Sequence, residues 1–449
     1  MKQLLVLGAG LSASYLVAQL LEDAEREDWF VTVGDLNEDL AQQAVGNHAR
    51  GEAVRFDVND SAVRSTRIDH ADVVINMLPA AYQDLVAWDC VNYGRHMISV
   101  SYRDQSVRDL DSDAKRTGVM LLCEMGLDPG IDHMSAMSLI QHQKDEGGRI
   151  VGFRSYGSGI PAPNQFQHRL RYAVTWDPRN VAMAGSGGSQ YMEDGNIKIV
   201  PYHQVFSHTW NVDVDGIGPL EAYANRDSMS YMKSFGLDHV HTMIRGTLRY
   251  PGWSETWGMI VRLGLPNEAL RIPDLADRTY AEVVEMFLPE NKSAPLDQRV
   301  ARFLQISPTG RIMDNLRWLG LFSDERIGCS GETSAAMLIH LLQTKLPLTS
   351  EMRDMVVLVH ELDAEYPHDD RPPERIRSTL VVEGQPGGGT AMSRSVGLPV
   401  VIAVKLLLGG ELSLTGCLIP THPAIYAPIL DRIERAGLSF KESRTQITE

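Results

Sequence analysis

Leu4-Leu5-Val6-Leu7-Gly8-Ala9-Gly10-Leu11-Ser12-Ala13 opens the chain with an apolar run that breaks into a glycine-rich turn. Between a strand and a helix, this G-x-G-x-x-A pattern is a dinucleotide-binding fingerprint. Gly8 allows the tight turn, Gly10 lets the backbone approach a pyrophosphate, and small Ala13 lets the helix pack close to the strand. The helix start, at Leu11 and Ser12, presents free N–H groups and a positive dipole end to the diphosphate. A second apolar run, Trp29-Phe30-Val31-Thr32-Val33, leads to Asp35, 22 residues beyond Ala13. An acid there binds the hydroxyls of the adenosine ribose and repels a 2′-phosphate, so the expected cofactor is NAD, with NADP the weaker alternative.

The alternation continues. Val54-Arg55-Phe56-Asp57-Val58 reads as a third strand, with Asp57 and Val58 beside the adenine. Residues 71–79 read as a fourth, ending at Asn76 and Met77 where a nicotinamide ribose would sit. Met97-Ile98-Ser99-Val100 and Val119-Met120-Leu121-Leu122 supply a fifth and sixth. Val100, Ser101, Leu127, Asp128 and Pro129, at or beyond the ends of these last strands, complete the expected cofactor contacts. Strands alternating with helix-length segments imply an α/β fold, a Rossmann domain with a parallel sheet and right-handed crossovers.

At 449 residues the chain exceeds one ordinary core, so two or three domains are expected. A formal charge of −16, with no block of Lys or Arg, argues against nucleic acid as a partner. Cys90, Cys123, Cys329 and Cys417 are widely spaced and form no C-x-x-C, which fits a reduced, cytoplasmic setting. No uninterrupted apolar run of about 18 residues is apparent, so no membrane span is expected.

The Rossmann domain is expected over 1–128, completed by 390–449. A mixed α/β substrate domain follows over 129–253 and 350–389, with a helical insertion at 254–349. A helix starts near Asp132. Strands are expected at 150–156, 197–200, 210–214, 246–250, 355–362 and 378–383, and helices at 280–287, 332–342, 390–408 and 424–436. The helix at 390–408 begins just after Gly387-Gly388-Gly389.

In such an arrangement the substrate lies beside the carboxyl ends of the strands. Ser101, Tyr102 and Asp128 are therefore the first candidates for chemistry. Arg226, Arg245 and Arg249 can hold carboxylates through paired N–H···O bonds, although Arg245 reads as more structural. Ala184-Gly185-Ser186-Gly187-Gly188-Ser189 lacks the flanks of a phosphate loop and reads as a turn. His239 and His241 would share one face of a strand, and His203 and His208 are near in sequence. Neither pair has a third ligand at suitable spacing, so no metal is expected.

These residues also resemble a known family. The turn at Gly8, Val100-Ser101-Tyr102 and Gly126-Leu127-Asp128-Pro129-Gly130-Ile131-Asp132-His133 are similar to the glutamate-forming saccharopine dehydrogenases. That group includes the corresponding half of a bifunctional lysine-degrading enzyme. The likeness continues through Ser155-Tyr156 with Pro161-Ala162-Pro163, Trp176-x-Pro178-Arg179, Asn225-Arg226-Asp227-Ser228 and Arg245-Gly246-Thr247-Leu248-Arg249-Tyr250. It returns at Ser378-Thr379-Leu380 and in the helix after Ala391-Met392, leaving out about a hundred residues of the helical insertion. The resemblance implies oxidation of the secondary amine of saccharopine to an imine, then hydrolysis to glutamate and 2-aminoadipate 6-semialdehyde, or the reverse. It implies Ser101, Tyr102, Asp128, Trp176, Arg226, Thr247 and Arg249 as the saccharopine site, with Tyr102 and Asp128 the catalytic candidates.

Two positions depart from the family pattern. Gly157 stands where the family often has Cys, and Asp35 stands where fungal members, which use NADP, tend to carry Arg. The first leaves open another amino-acid or polyamine conjugate, such as a carboxynorspermidine-type adduct, or lysine itself. A non-catalytic dinucleotide-binding protein is the alternative from another class. The expected partner is a small amino-acid substrate, with a homodimer left open.

Overall fold

The computed structural model describes residues 1–165, 168–290, 294–386 and 389–447. The chain divides into two compact units, Met1–Ile150 with Ala364–Glu449, and Val151–Asp363.

In the first unit the alternation produces β1 (Lys2–Leu7), β2 (Trp29–Asp35), β3 (Gly51–Arg55), β4 (Val73–Asn76), β5 (His96–Ser99) and β6 (Met120–Leu122). They lie in the order β3-β2-β1-β4-β5-β6, and strand Gly416–Leu418, from far along the chain, continues the sheet beyond β6. Every neighbouring pair is parallel. The continuous apolar runs follow from this: a parallel sheet covered on both faces buries successive side chains, as it does Leu4 to Leu7. Strand order reverses between β1 and β4, which opens the crevice where dinucleotides bind in this fold class.

The third strand differs from expectation, ending at Arg55 rather than Val58. Phe56 still donates its N–H to the Asp35 carbonyl at 2.8 Å. Asp57 then leaves the ladder because its Oδ1 accepts the Asn59 N–H at 2.9 Å, a local turn that competes with strand pairing.

Helix Ala391–Leu408 is capped by Thr390, whose hydroxyl accepts the Ser393 N–H at 2.9 Å. It is long and apolar enough to cross a membrane by length and composition alone, yet 78% of it is buried within the protein. Gly387 and Gly388, read as preceding it, lie outside the described residues. It packs against the first long helix, Ser14–Ala24, and Lys405 reaches buried Asp23 at 2.5 Å. A Cβ at Gly397 would sit 2.8 Å from the Leu16 amide nitrogen, so the two backbones meet where only hydrogen fits.

The second unit carries a mixed sheet in the order Thr209–Val214, Gly218–Ala224, Thr242–Arg249, Arg149–Pro161, Asp354–Glu365. The first two pairings are antiparallel and the third is parallel. Helices Trp253–Leu263, Tyr280–Glu285, Leu296–Leu304, Arg311–Leu319 and Ser334–Lys345 contribute to the same apolar core. Trp253 and Trp257 stack within it at 5.3 Å.

Gly397→Ala tests the helix contact. Alanine favours a helix interior by up to about 1 kcal/mol over glycine. Forcing a methyl onto the Leu16 backbone costs about 1–3 kcal/mol. Urea unfolding is expected to show a net loss of stability; an equal or higher midpoint would mean that the helices do not meet this closely.

Candidate functional site

The cofactor cradle starts at Gly8. Its φ of +101° is a conformation that other residues rarely adopt, and a Cβ there would lie 3.2 Å from the Met77 carbonyl group. The turn after β1 thus presses against the end of β4. Nothing lies within 4 Å of a Cβ built on Gly10, so the loop is open to a ligand. Leu11 is exposed at this opening, with Ser12 partly and Ala13 fully buried behind it. Asn76 is fully buried: its Oδ1 accepts the Leu78 N–H at 3.1 Å, while its Nδ2 has no hydrogen-bond partner among the described residues. An open glycine turn beside an unspent buried donor fits a dinucleotide. Val58 is buried, with its carbonyl taken by Arg64, and Met77 and Val100 are part-buried.

The carboxyl ends of β5 and β6 converge. Ser101 donates from its hydroxyl to the Leu78 carbonyl at 3.3 Å, and Gln83 donates to the Tyr102 carbonyl at 2.9 Å. After β6 the chain folds tightly on itself: the Gly126 N–H donates to the Pro129 carbonyl at 2.9 Å, and Ile131 N–H returns to the Gly126 carbonyl at 2.9 Å. Gly130 makes this closure feasible. Its φ is +150°, and a Cβ would lie 2.0 Å from the Gly126 oxygen. Leu127 and Pro129 are buried while Asp128 is part-exposed. Asp128 does not cap the helix that follows, since Gly130 is its N-cap. Instead its Oδ1 accepts the Tyr102 hydroxyl at 3.3 Å. A phenol and a carboxylate in contact at the end of a Rossmann sheet can pass a proton to and from a substrate.

In the second unit, strand Thr242–Arg249 places Thr247 between Tyr223 and Gly157 in register, so the departure from the family pattern adjoins a predicted substrate residue. Arg249 is only 4% exposed. Its guanidinium lies over the rings of Trp253 at 5.0 Å, Tyr172 at 5.1 Å and Tyr223 at 6.0 Å. Nη1 donates to Ser158 Oγ at 3.1 Å and to its neighbour's carbonyl at 2.9 Å, while Nε has no hydrogen-bond partner. No carboxylate pairs with it among the described residues. Burial pushes the phenols of Tyr172 and Tyr223 up, against the opposing charge of Arg249; Trp176 further opposes the shift at Tyr172, and Thr247 at Tyr223. Trp176, Thr247 and Arg249 are therefore brought to one cage. A buried cation without an acid is costly until an anion arrives, which points to an anionic ligand.

Arg226 is exposed on the two-residue strand Arg226–Asp227, with φ +54°. Arg245 is buried and lies over Tyr231 at 4.4 Å, and Arg179 grips Glu268 at 2.6 and 2.7 Å. His239 and His241 precede strand Thr242–Arg249 instead of lying on a strand, correcting that expectation. Among the described residues no group of three or more His, Cys, Asp or Glu is arranged to hold a metal. Tyr172, Tyr223 and Trp253 were not singled out from sequence, because an aromatic cage drawn from distant segments has no local signature.

Residues 4–122 match the family model described as the saccharopine dehydrogenase NADP binding domain, and 126–438 match the saccharopine dehydrogenase C-terminal domain. The chain is 30% identical to the saccharopine dehydrogenase [NADP(+), L-glutamate-forming] of Saccharomyces cerevisiae, over 98% of this chain and 99% of that one. It is equally identical, at 30%, to the mitochondrial alpha-aminoadipic semialdehyde synthase of Mus musculus, over 99% of this chain but 48% of that protein. The chain thus spans about half the length of the semialdehyde synthases that it matches. An apo structure of the yeast saccharopine dehydrogenase (L-Glu forming) superposes with a TM-score of 0.85 at 28% identity, over 99% of this chain and 100% of that one.

These matches overturn the expectation that NAD is the cofactor, since the matched domain and the fungal relatives are named for NADP. The structure supplies a reason why Asp35 misled. Its Oδ2 accepts the Ala9 N–H at 2.8 Å and its Oδ1 the Asn37 N–H at 2.9 Å, so the carboxylate shapes the turn itself. With both of its domains matched across nearly its whole length, this chain belongs to the saccharopine dehydrogenase family.

Proposed function

We propose that this protein is an NADP-dependent oxidoreductase that cleaves saccharopine to glutamate and 2-aminoadipate 6-semialdehyde, or runs the reverse reaction, in lysine metabolism. The observation that carries this reading is Arg249, a buried cation with no acidic partner among the described residues, set in an aromatic cage. Saccharopine bears three carboxylates, one of which this cation is suited to receive. Arg226, exposed nearby in sequence, is suited to a second. The end-to-end match with the yeast enzyme supports the same substrate.

NADP(+), when bound, accepts a hydride from the carbon beside the substrate amine. The chain's part is to hold that carbon within about 3–3.5 Å of its acceptor and to manage protons. Gly8 and Gly10 admit the diphosphate to the helix start, and Asn76 Nδ2 offers its unspent donor. Arg55, exposed and in register with Asp35, supplies the cation that a 2′-phosphate needs at the adenosine end. Asp128, hydrogen-bonded by Tyr102, takes the amine proton, and the pair then orients the water that hydrolyses the imine.

Three measurements test this. Steady-state reduction of NADP(+) is expected with saccharopine and absent with lysine or carboxynorspermidine; no reduction with saccharopine would defeat the reading. Arg55→Ala is expected to weaken NADP(+) binding by about tenfold or more, the effect of losing a charge-assisted bond of about 1.5–3 kcal/mol, while sparing NAD(+). Equal loss for both dinucleotides would remove Arg55 from the phosphate site. Arg226→Met is expected to lower kcat/KM for saccharopine roughly ten- to a hundredfold through KM, with NADP(+) affinity unchanged. A lowered melting temperature with unaltered kinetics would instead make Arg226 structural.

A further inference from the structure

Behind the Tyr102–Asp128 contact lies a buried charge cluster that the mechanism above does not use. His133 sits in the first turn of helix Ile131–Asp145 with no solvent exposure. Its Nε2 contacts Glu124 Oε2 at 2.7 Å. Its Nδ1 lies 2.9 Å from Asp132 Oδ2, close enough to pair charges. A cation is disfavoured at a helix N-terminus, so helix packing gives no reason for a charged ring here. Burial alone would lower its pKa, but Asp132 and Glu124 outweigh burial and raise it to about 9. The ring is therefore an imidazolium at neutral pH.

Each carboxylate also holds a different piece of backbone. Glu124 Oε1 accepts the Arg103 N–H at 3.0 Å, and the Glu124 N–H donates to the Ser101 carbonyl at 3.1 Å. Glu124 adopts φ +61°, an uncommon conformation for a residue with a side chain. Asp132 Oδ1 accepts the Gly130 N–H at 2.6 Å, while its own N–H donates to the Leu127 carbonyl at 3.0 Å. One ring thus joins the 101–103 segment to the 126–132 turn, and these are the two segments that carry Tyr102 and Asp128. Two polar neighbours of Glu124 are engaged elsewhere. The Arg103 guanidinium is turned to the Cys417 carbonyl at 2.8 Å, and the Cys123 thiol is held neutral by its contact with the Cys417 thiol and by burial, with the charge of Glu124 adding to both.

We propose that His133 is a positioning residue: clasped between Glu124 and Asp132, it locks the Ser101–Tyr102–Arg103 segment to the 126–132 turn and so keeps Tyr102 against Asp128. This rests on the reading that the Tyr102–Asp128 pair carries the proton chemistry. It assigns the ring no contact with substrate or cofactor.

The test compares His133→Gln with Tyr102→Phe in the full-length protein. His133→Gln is expected to lower kcat by about tenfold or more, while KM for saccharopine and Kd for NADP(+) stay within about threefold. In its crystal structure the Tyr102–Asp128 distance, 3.3 Å here, should open beyond hydrogen-bond reach. Glu124→Gln weakens the same link from the other side of the ring; should His133→Gln not fold, it is read by the same criteria. A folded variant with near-normal kcat, or with the Tyr102–Asp128 distance unchanged, would overturn the proposal. If Tyr102→Phe lowers kcat and His133→Gln does not, the positioning role alone fails. If Tyr102→Phe leaves kcat intact, the underlying reading of the pair fails as well.

Discussion

The first unit depends on the tight closure between Gly126 and Gly130. The chain must leave β6 at the carboxyl edge of the sheet and enter helix Ile131–Asp145 within a few residues. It does so by bringing the Gly130 backbone so close to the Gly126 carbonyl that no side chain fits. The closure has three consequences. It leaves Asp128 part-exposed against Tyr102, it buries Leu127 and Pro129, and it drives His133 into the interior between two carboxylates. Buried charges are costly unless paired and hydrogen-bonded, which explains why both carboxylates are also tied to backbone N–H groups.

A different electrostatic arrangement serves the second unit. There the buried cation, Arg249, meets rings, a hydroxyl and a carbonyl instead of an acid. Aromatic faces offset part of the cost of burying a guanidinium without neutralising it. The arrangement leaves Nε unsatisfied, and a carboxylate would complete it. Arg245 shows the contrast, since its ring partner and its strand position hold a buried arginine in place outside the cage.

Much of the first unit was legible in sequence because its signals are local. Glycine spacing, continuous apolar runs and strand-to-strand alternation lie within short windows, and the parallel sheet follows from them. Asp57 was read as part of the third strand but lies in the turn after it, because its side chain's bond to the Asn59 N–H, invisible in composition, takes it out of the ladder beyond Arg55. Asp35 was misjudged for a related reason, as its position was readable but its two backbone partners were not. The polar ends of β5 and β6 singled out Tyr102 and Asp128, whose side chains meet at 3.3 Å. The aromatic cage and the Glu124–His133 contact were not legible, because each joins residues whose proximity exists only after folding. Helix Ala391–Leu408 was legible as a helix, but its seat against Ser14–Ala24 was not, since that depends on one missing methyl, at Gly397.

Which C–N bond is cleaved depends on which of the two carbons flanking the saccharopine amine loses the hydride. If the carbon on the lysine side of the saccharopine amine loses the hydride, hydrolysis releases that side as an aldehyde and the other as an amino acid. Identifying the products of saccharopine turnover with NADP(+) by mass spectrometry tests this most directly. The account predicts glutamate and 2-aminoadipate 6-semialdehyde in equal amounts with the NADPH formed. Lysine and 2-oxoglutarate as the products would contradict it.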